Sequence, residues 1–341
     1  MKSRKAKKIF QAVFLLFLIV GTIWVIRQNR SMPYHKNHGL IFGTEYNITY
    51  QSDRDLQQEI IQELQKVDNS LSPFNDHSII TKVNNNEDVV VNDAFKEVFQ
   101  LAQTISQETN GAFDITVAPL VNLWGFGFKH DTSPDKQAID SLRSIIGYQK
   151  VKLNGSGHVL KSDPRIMLDC SAIAKGYGCD VVARFFDRLG ITNYMVEIGG
   201  EVVARGKSDK QLPWRIGVSK PTDDSIYFNN ELQTILKITD CAMATSGNYR
   251  NFYYKDGKKY AHTIDPRTGH PVQHSLLSAT VLAKDCATAD AYATSFMVMG
   301  VDKAKDVLDR HKELMAYLIF SAPDGNLSVW YSPALKEMIL E

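Results

Sequence analysis

Cysteine is scarce in this chain: four residues in 341, Cys170, Cys179, Cys241 and Cys286. None pairs as C-x-x-C, and no Cys/His cluster has zinc-finger spacing, so neither a thioredoxin-like redox centre nor a structural zinc module is indicated. The four read as small buried apolar side chains. Net charge is nearly absent as well, with 39 Lys+Arg against 38 Asp+Glu. The balance conceals an asymmetry. Residues 1–30 carry seven Lys/Arg and no acid, which leaves 32 basic and 38 acidic residues in the rest of the chain, a net of −6. An acidic body argues against non-specific nucleic-acid binding. There is no internal repeat and no low-complexity linker, and 44% apolar with 23% charged residues excludes a mostly disordered or collagenous chain. No G-x-G-x-x-G or G-x-x-x-x-G-K-[ST] follows a strand pattern, so neither a Rossmann nor a P-loop nucleotide site is signalled.

What the chain does have begins at its N-terminus. The basic stretch KSRKAKK (2–8) precedes an apolar run from Ile9 to Ile26, broken only by Gln11, Gly21 and Thr22. That length approaches the roughly 17–25 residues needed to span a bilayer, and the run lacks the polar face of a buried amphipathic helix. The positive flank should stay cytoplasmic and the remainder be exported. Arg27, Gln28, Asn29 and Arg30 offer no small-x-small cleavage site, which favours an uncleaved signal anchor over a cleaved signal peptide. No Cys near the run permits lipoprotein processing. The expected layout is a cytoplasmic flank over 1–8, a membrane anchor over 9–26, a polar tether over 27–38 and one domain over 39–341, held at the cell membrane on its extracytoplasmic (periplasmic) side.

Within the body, Leu56, Ile60, Ile61, Leu64 and Val67 predict an amphipathic helix. Phe95, Val98, Phe99, Ala102 and Ile105 predict a second, opened by Asp93 and closed by Asn110-Gly111. A third should follow Ala174, with Val181, Val182, Phe185 and Leu189 inward and Gly190 as its stop. Two more fit residues 287–298 and 301–310. Strand patterns occupy 150–154, 194–204, 214–218, 234–239, 277–283 and 315–320. The mixture indicates an α+β (mixed α/β) fold with substantial antiparallel sheet.

Five segments combine residues that an ordinary core does not need. In GAFDITVAPLVNLWGFG (111–127), Asp114 sits among apolar neighbours, and Trp124 and Phe126 are bracketed by glycines that let backbone approach a ligand; they suit either stacking on a flat ring or a buried turn. In LDCSAIAKGYGCD (168–180), a strand ending at Leu168 and a helix starting near Ala174 would place Asp169 and Ser171 at a helix N-terminus, as anion-site residues or as plain caps; Lys175 is explained only by the first. In YMVEIGGEVVARG (194–206), Gly199-Gly200 suggests a bulge in one strand, with Glu197 functional or simply outward. In the segment 244–272, His262, Asp265 and Arg267 crowd a Pro/Gly-rich stretch; His262 could act as a general base, with Asp265 orienting it or binding a metal. In DCATADAYATS (285–295), Asp290 and Thr294 are four apart on one helix face and suit Mg2+, while the alternative is a helix-start charge and a Thr bonded back to its own helix.

Taken in order, FGTEYNI (42–48), SPFNDHSII (72–80), GAFDITVAPLVNLWGFG, LDCSAIAKGYGCD, EIGGEVVARG, ATSGNYRNFY, HTIDPRTGHPV and TADAYATS resemble the FAD:protein FMN transferase (ApbE) family over roughly residues 40–335. The resemblance implies a single T-fold-like domain that binds FAD and Mg2+, moves FMN from FAD onto a Thr or Ser hydroxyl of a target flavoprotein and releases AMP. The implied partner is an acceptor with a Ser/Thr-Gly-Ala-Thr-like motif, typically a subunit of a membrane redox complex. Matched residue by residue, it implies FAD contacts at Phe42, Phe74, Ala112, Phe113, Asp114, Asp169, Lys175 and Ile264, and Mg2+ held by Asp290, Thr294 and the carbonyl of Ala172. Relatives often carry Met or Tyr in place of Phe42 or Phe74, and some carry Glu in place of Lys175. His262 would then activate the acceptor hydroxyl, with Asp265 as its partner or as the alternative base. Two other activities remain compatible with the same residues: an FAD pyrophosphatase giving FMN and AMP, and a non-catalytic FAD-binding protein.

Overall fold

The structure is a computed structural model that describes residues 10, 11, 13–22, 32–126, 134–221, 231–248, 252–255 and 258–340, with backbone only over the stretches between 252 and 261. Residues 9, 12 and 23–31 of the expected anchor and tether lie outside the described residues. Residues 10, 11 and 13–22 are helical, with large exposed apolar side chains. Among the described residues no helix is long and apolar enough to cross a membrane.

An eight-stranded antiparallel sheet forms the centre. Its strands are β1 (Tyr34–Ile41), β2 (Thr44–Gln51), β3 (Tyr194–Ile198), β4 (Glu201–Arg205), β5 (Cys241–Gly247), β6 (Leu276–Ala283), β7 (Met315–Ser321) and β8 (Leu327–Tyr331), and their order in space is their order in the chain. Each pairing is antiparallel. The period-2 alternation of side chains sorts the core onto two faces. Val202 and Ala204 enter one apolar cluster and Val203 the other; Met243 and Leu282 likewise part from Ala242 and Val281. The expected tether overran its boundary, because residues 34–38 already pair with β2.

Helices cover one face. They are α1 (Gln57–Leu71), α2 (Ile79–Asn84), α3 (Asp93–Glu108), α4 (Ala118–Leu123), α5 (Lys136–Ile145), α6 (Ala174–Arg188), α7 (Cys286–Met299) and α8 (Val301–Arg310). A three-stranded sheet of Trp214–Ser219, Leu232–Ile238 and Ile339–Leu340 supplies residues to the opposite cluster. The cap of α3 is Asn92, whose side chain accepts from Phe95 N, and not Asp93, which sits in the first turn. The helix ends as expected, with Asn110 at φ +55° and Gly111 at φ +74°. On α6 the inward face is Tyr177, Cys179, Val182, Ala183 and Phe186; Leu189 is 47% exposed, because the helix has already ended at Arg188. Phe186 packs against Tyr50 and Tyr194 at centroid distances of 4.8 and 5.2 Å, pairs that add about 0.5–1.5 kcal/mol beyond burial alone.

Helix α7 is mostly apolar and buried along most of its length, as a central helix must be. Ala287, Ala289, Ala291 and Ala293 keep it thin, so that α6 and strands β5 and β6 approach closely. Asp285 caps it by accepting from Thr288 N at 2.9 Å. Cys170, Cys179 and Cys286 are buried and Cys241 half-buried, all as free thiols.

Candidate active site

A cavity of about 620 Å3 opens where the segment ahead of α6, the buried helix α7 and the loop after α3 converge, a size typical of ligand sites. Asp290 and Thr294 face it from α7; Ala172, ahead of α6, and Lys175, in its first turn, face it from the other side. Ala112, Phe113, Asp114, Asp169, Ile264 and His262 line it too, and Phe74, 69% exposed, stands at its lip. Ten of the sequence-predicted site residues therefore meet around one space, together with His262. Two do not. Phe42, at φ +52° in the β1–β2 turn, packs against Gly178 and is not among the lining residues. Asp265 is also absent from the wall. Its two oxygens accept from Arg267 Nε at 2.8 Å and Nη2 at 2.9 Å, so it is spent on an ion pair two residues away and is not the partner that orients His262.

Asp290 is 2% exposed, and its Oδ2 accepts from Gly176 N at 3.1 Å. Burial pushes its carboxyl above the usual range, against the pull of Lys175 and the Gly176 N–H. Ser246 Oγ lies 3.1 Å from Thr294 Oγ1. Among the described residues no three His, Cys, Asp or Glu side chains gather into a metal-holding group. The donors at this end of the cavity are instead oxygens of mixed type, from one carboxylate and two hydroxyls.

Lys175 pairs with Glu201 Oε2 at 2.7 Å, the side chains being 31% and 2% exposed. Burial disfavours the ammonium, but Asp290 and Glu201 outweigh it and raise its pKa. Glu201 itself is raised by burial and by Asp290, with Lys175 opposing. Sequence reading missed Glu201. The expected single strand over 194–204 is two strands: Gly199 (φ +63°) and Gly200 (φ +106°) form the hairpin turn between β3 and β4, and Glu201 begins the second. A Gly-Gly pair between two β-rich runs was the available signal. Glu197 is neither idle nor in the cavity: it accepts from Asn47 Nδ2 at 2.7 Å and Gly200 N at 2.8 Å, closing the turn.

Asp114 acts as an organiser of the wall. Its Oδ1 accepts from Thr116 N (2.8 Å) and Thr116 Oγ1 (2.7 Å), and its Oδ2 from Tyr148 N (2.8 Å). Burial raises its carboxyl despite these bonds. Trp124 is not offered to a ligand; it is 7% exposed and donates Nε1–H to Gly269 O at 2.8 Å. Phe126 does line the cavity, edge-on to His262 at 6.4 Å between centroids. No strand ends at Leu168, which lies in an irregular segment pinned by Asn84: its N–H donates to Asn84 Oδ1 and its carbonyl accepts from Asn84 Nδ2. Asp169 accepts from Ser171 N at 2.7 Å ahead of the helix, whose cap position Ile173 has no side-chain bond.

Comparison with known proteins gives a consistent picture. The model of the ApbE family matches residues 42–319. A protein of Vibrio cholerae named FAD:protein FMN transferase is 38% identical over 298 residues, covering 84% of this chain and 87% of that one. A protein of the same name from Escherichia coli is 35% identical over 294 residues, covering 84% and 82%. Among solved structures, the flavin transferase ApbE of Vibrio cholerae superposes with a TM-score of 0.80 at 36% identity, covering 90% of this chain and 100% of that one. The apo flavinyl transferase ApbE of Pseudomonas stutzeri gives 0.80 at 28% identity, covering 91% and 98%.

Proposed function

The chain belongs to the ApbE family, and we propose that it is an FAD:protein FMN transferase that moves FMN from FAD to a Thr or Ser hydroxyl of another protein and releases AMP. The observation that carries the reading is that Asp290, Thr294, Lys175 and His262, from segments far apart in the chain, line one cavity with apolar walls.

Phe113, Phe126 and Ile264 supply flat and apolar surface for the isoalloxazine. Asp114 holds the loop that presents Phe113, and Asp169 lies beside the start of α6. The ammonium of Lys175, kept charged, faces the pyrophosphate. His262 takes the proton of the acceptor hydroxyl as its oxygen attacks the flavin-side phosphorus. One P–O bond forms to the acceptor, the bond to the AMP oxygen breaks, and positioning by these residues matters more than strong base catalysis in so loose a transition state. The oxygen donors fit a hard divalent cation: Mg2+ would be held by Asp290, Thr294 and the carbonyl of Ala172, and supplies neutralisation of pyrophosphate charge when bound.

The acceptor is taken to be a flavoprotein subunit of a membrane redox complex with a Ser/Thr-Gly-Ala-Thr-like motif. The basic flank and the exposed apolar side chains of helical residues 10 and 13–20 support anchoring of residues 9–26 in the cell membrane with the catalytic domain outside the cytoplasm. The test incubates the full-length chain with FAD, Mg2+ and an acceptor domain bearing the motif, and reads the acceptor's intact mass and in-gel flavin fluorescence. A Mg2+-dependent gain of one FMN is expected. AMP and free FMN without labelling would replace the reading with a pyrophosphatase, and tight FAD binding without turnover would replace it with a carrier.

A further inference from the structure

Glu201 poses a question that FAD binding alone leaves unanswered. It is 2% exposed, sits at the first position of β4 and faces no second cation besides Lys175 among the described residues. A carboxylate buried to this degree is costly unless paired. Its partner Lys175 lines the same cavity as Asp290, yet the ion pair within bonding distance is to Glu201, at 2.7 Å. The stem is guided as well. Gly199 has no side chain at a place where a Cβ would lie 3.3 Å from Lys175 Cδ and 2.8 Å from Thr44 Cγ2. The β3–β4 turn thus cradles the methylenes with Gly199 and seizes the ammonium with Glu201.

We propose that Glu201 is a positioning residue that draws the Lys175 ammonium away from Asp290, leaving the Asp290 carboxylate to a divalent cation. The inference rests on the metal reading above. Lys175 is a tethered cation competing for the same carboxylate. Without Glu201, its shortest route to charge compensation is Asp290, and an incoming ion then has to displace it. Gly176 N–H already engages Asp290 Oδ2 at 3.1 Å, so a second donor on this carboxylate would leave little of it for a metal.

The test counts bound metal directly, using the free Mn2+ EPR signal in titrations of the full-length chain with and without FAD. Wild type, Glu201→Gln and the double variant Glu201→Gln/Lys175→Met are compared. Glu201→Gln is expected to weaken Mn2+ binding about tenfold or more, roughly 1.4 kcal/mol, and the double variant to recover wild-type affinity within about threefold, since it removes the competing cation. Wild type that binds no Mn2+ overturns the metal reading itself. Wild type that binds, with Glu201→Gln unchanged, overturns only the role of Glu201. Equal weakening in the single and double variants assigns Glu201 to structure and not to competition. Should Glu201→Gln fail to fold by circular dichroism, Glu201→Asp keeps the charge one methylene short; intermediate affinity supports the proposal and wild-type affinity overturns it.

Discussion

The backbone N–H of Gly176 donates to Asp290 Oδ2 at 3.1 Å across the contact of α6 with α7. At Gly176 the two helices also approach backbone to backbone. A Cβ on Gly176 would lie 2.3 Å from Cys286 O, 2.6 Å from its carbonyl carbon and 2.9 Å from Ala287 Cα, none of which is a flexible side-chain end. This explains a glycine inside a helix, where alanine is ordinarily favoured by about 1 kcal/mol. Gly176→Ala is expected to lower stability by about 1–3 kcal/mol through overpacking and to shift Asp290 relative to the cavity, with a loss of FMN transfer larger than the loss of folded protein. Urea unfolding alongside specific activity checks it. A variant stabilised by the better helix former would show that the two helices have room to spare.

One turn further along α6, Asp180 holds the same junction. Its Oδ1 accepts from Cys286 N and its Oδ2 from Ala287 N, each at 2.8 Å, so it tethers the first turn of the helix that carries Asp290 and Thr294. Burial pushes its carboxyl up to about 7 from an ordinary 3.8, although both N–H bonds pull the other way. The folded state therefore binds this proton more tightly than the unfolded chain between those values. The group's contribution to stability falls as pH rises through that window and is level above it. Asn at this position offers one acceptor to two N–H groups and does not titrate. Wild type is expected to exceed Asp180→Asn in unfolding free energy, with a lead that shrinks by about 1–3 kcal/mol from pH 5 to pH 8. A lead that widens over that range would mean the two N–H bonds dominate over burial.

The sheet and the helices were legible because their apolar positions obey simple periods. Val202, Val203 and Ala204 alternate between faces, and the apolar positions of α1 and α3 recur at helical spacing, so local pattern and global fold agree. The errors have local causes. Gly199-Gly200 suggests an interruption because two short β-rich runs on either side look like one strand. Glu201 was missed because a single acid in a strand resembles an outward residue, and its pairing with Lys175 depends on two elements that only the tertiary fold brings together. Proximity in sequence suggests Asp265 as the partner of His262, yet the nearer Arg267 has the geometry of a bidentate pair. Trp124 suggested a ring platform, whereas its indole N–H is needed to pin Gly269.

Asp114 supports the cavity wall through three hydrogen bonds to its own loop and to Tyr148. Asp114→Ala would strand Thr116 N, Thr116 Oγ1 and Tyr148 N, all now satisfied by one carboxylate. Unsatisfied buried donors cost about 1–3 kcal/mol each when water cannot reach them; partial access at Tyr148 makes a total of about 3 kcal/mol reasonable. The loop that presents Ala112 and Phe113 would loosen, so FAD is expected to bind about tenfold more weakly while the turnover rate at saturating FAD changes little. Fluorescence titration of FAD against steady-state kinetics makes the distinction. A fall in turnover with unchanged FAD affinity would place Asp114 in the chemistry instead of the wall.

His262 and Asp265 give the sharpest contrast, because sequence reading joined them and the structure parts them. His262 lines the cavity edge-on to Phe126. Asp265 lies off the wall, locked to Arg267 at 2.8 Å, and Arg267 O in turn accepts from Arg143 Nη2 at 2.7 Å. If His262 removes the hydroxyl proton, His262→Ala is expected to lower the transfer rate about 10²–10⁴-fold with FAD affinity nearly unchanged, and to flatten the acid limb of the rate–pH profile. Asp265→Asn should instead loosen the 265–269 turn, lowering stability by about 1 kcal/mol and transfer by less than tenfold, with the acid limb intact. The profile decides the matter, since a merely structural histidine would alter the rate without moving that limb. An acid limb that survives His262→Ala and disappears in Asp265→Asn would reverse the two roles.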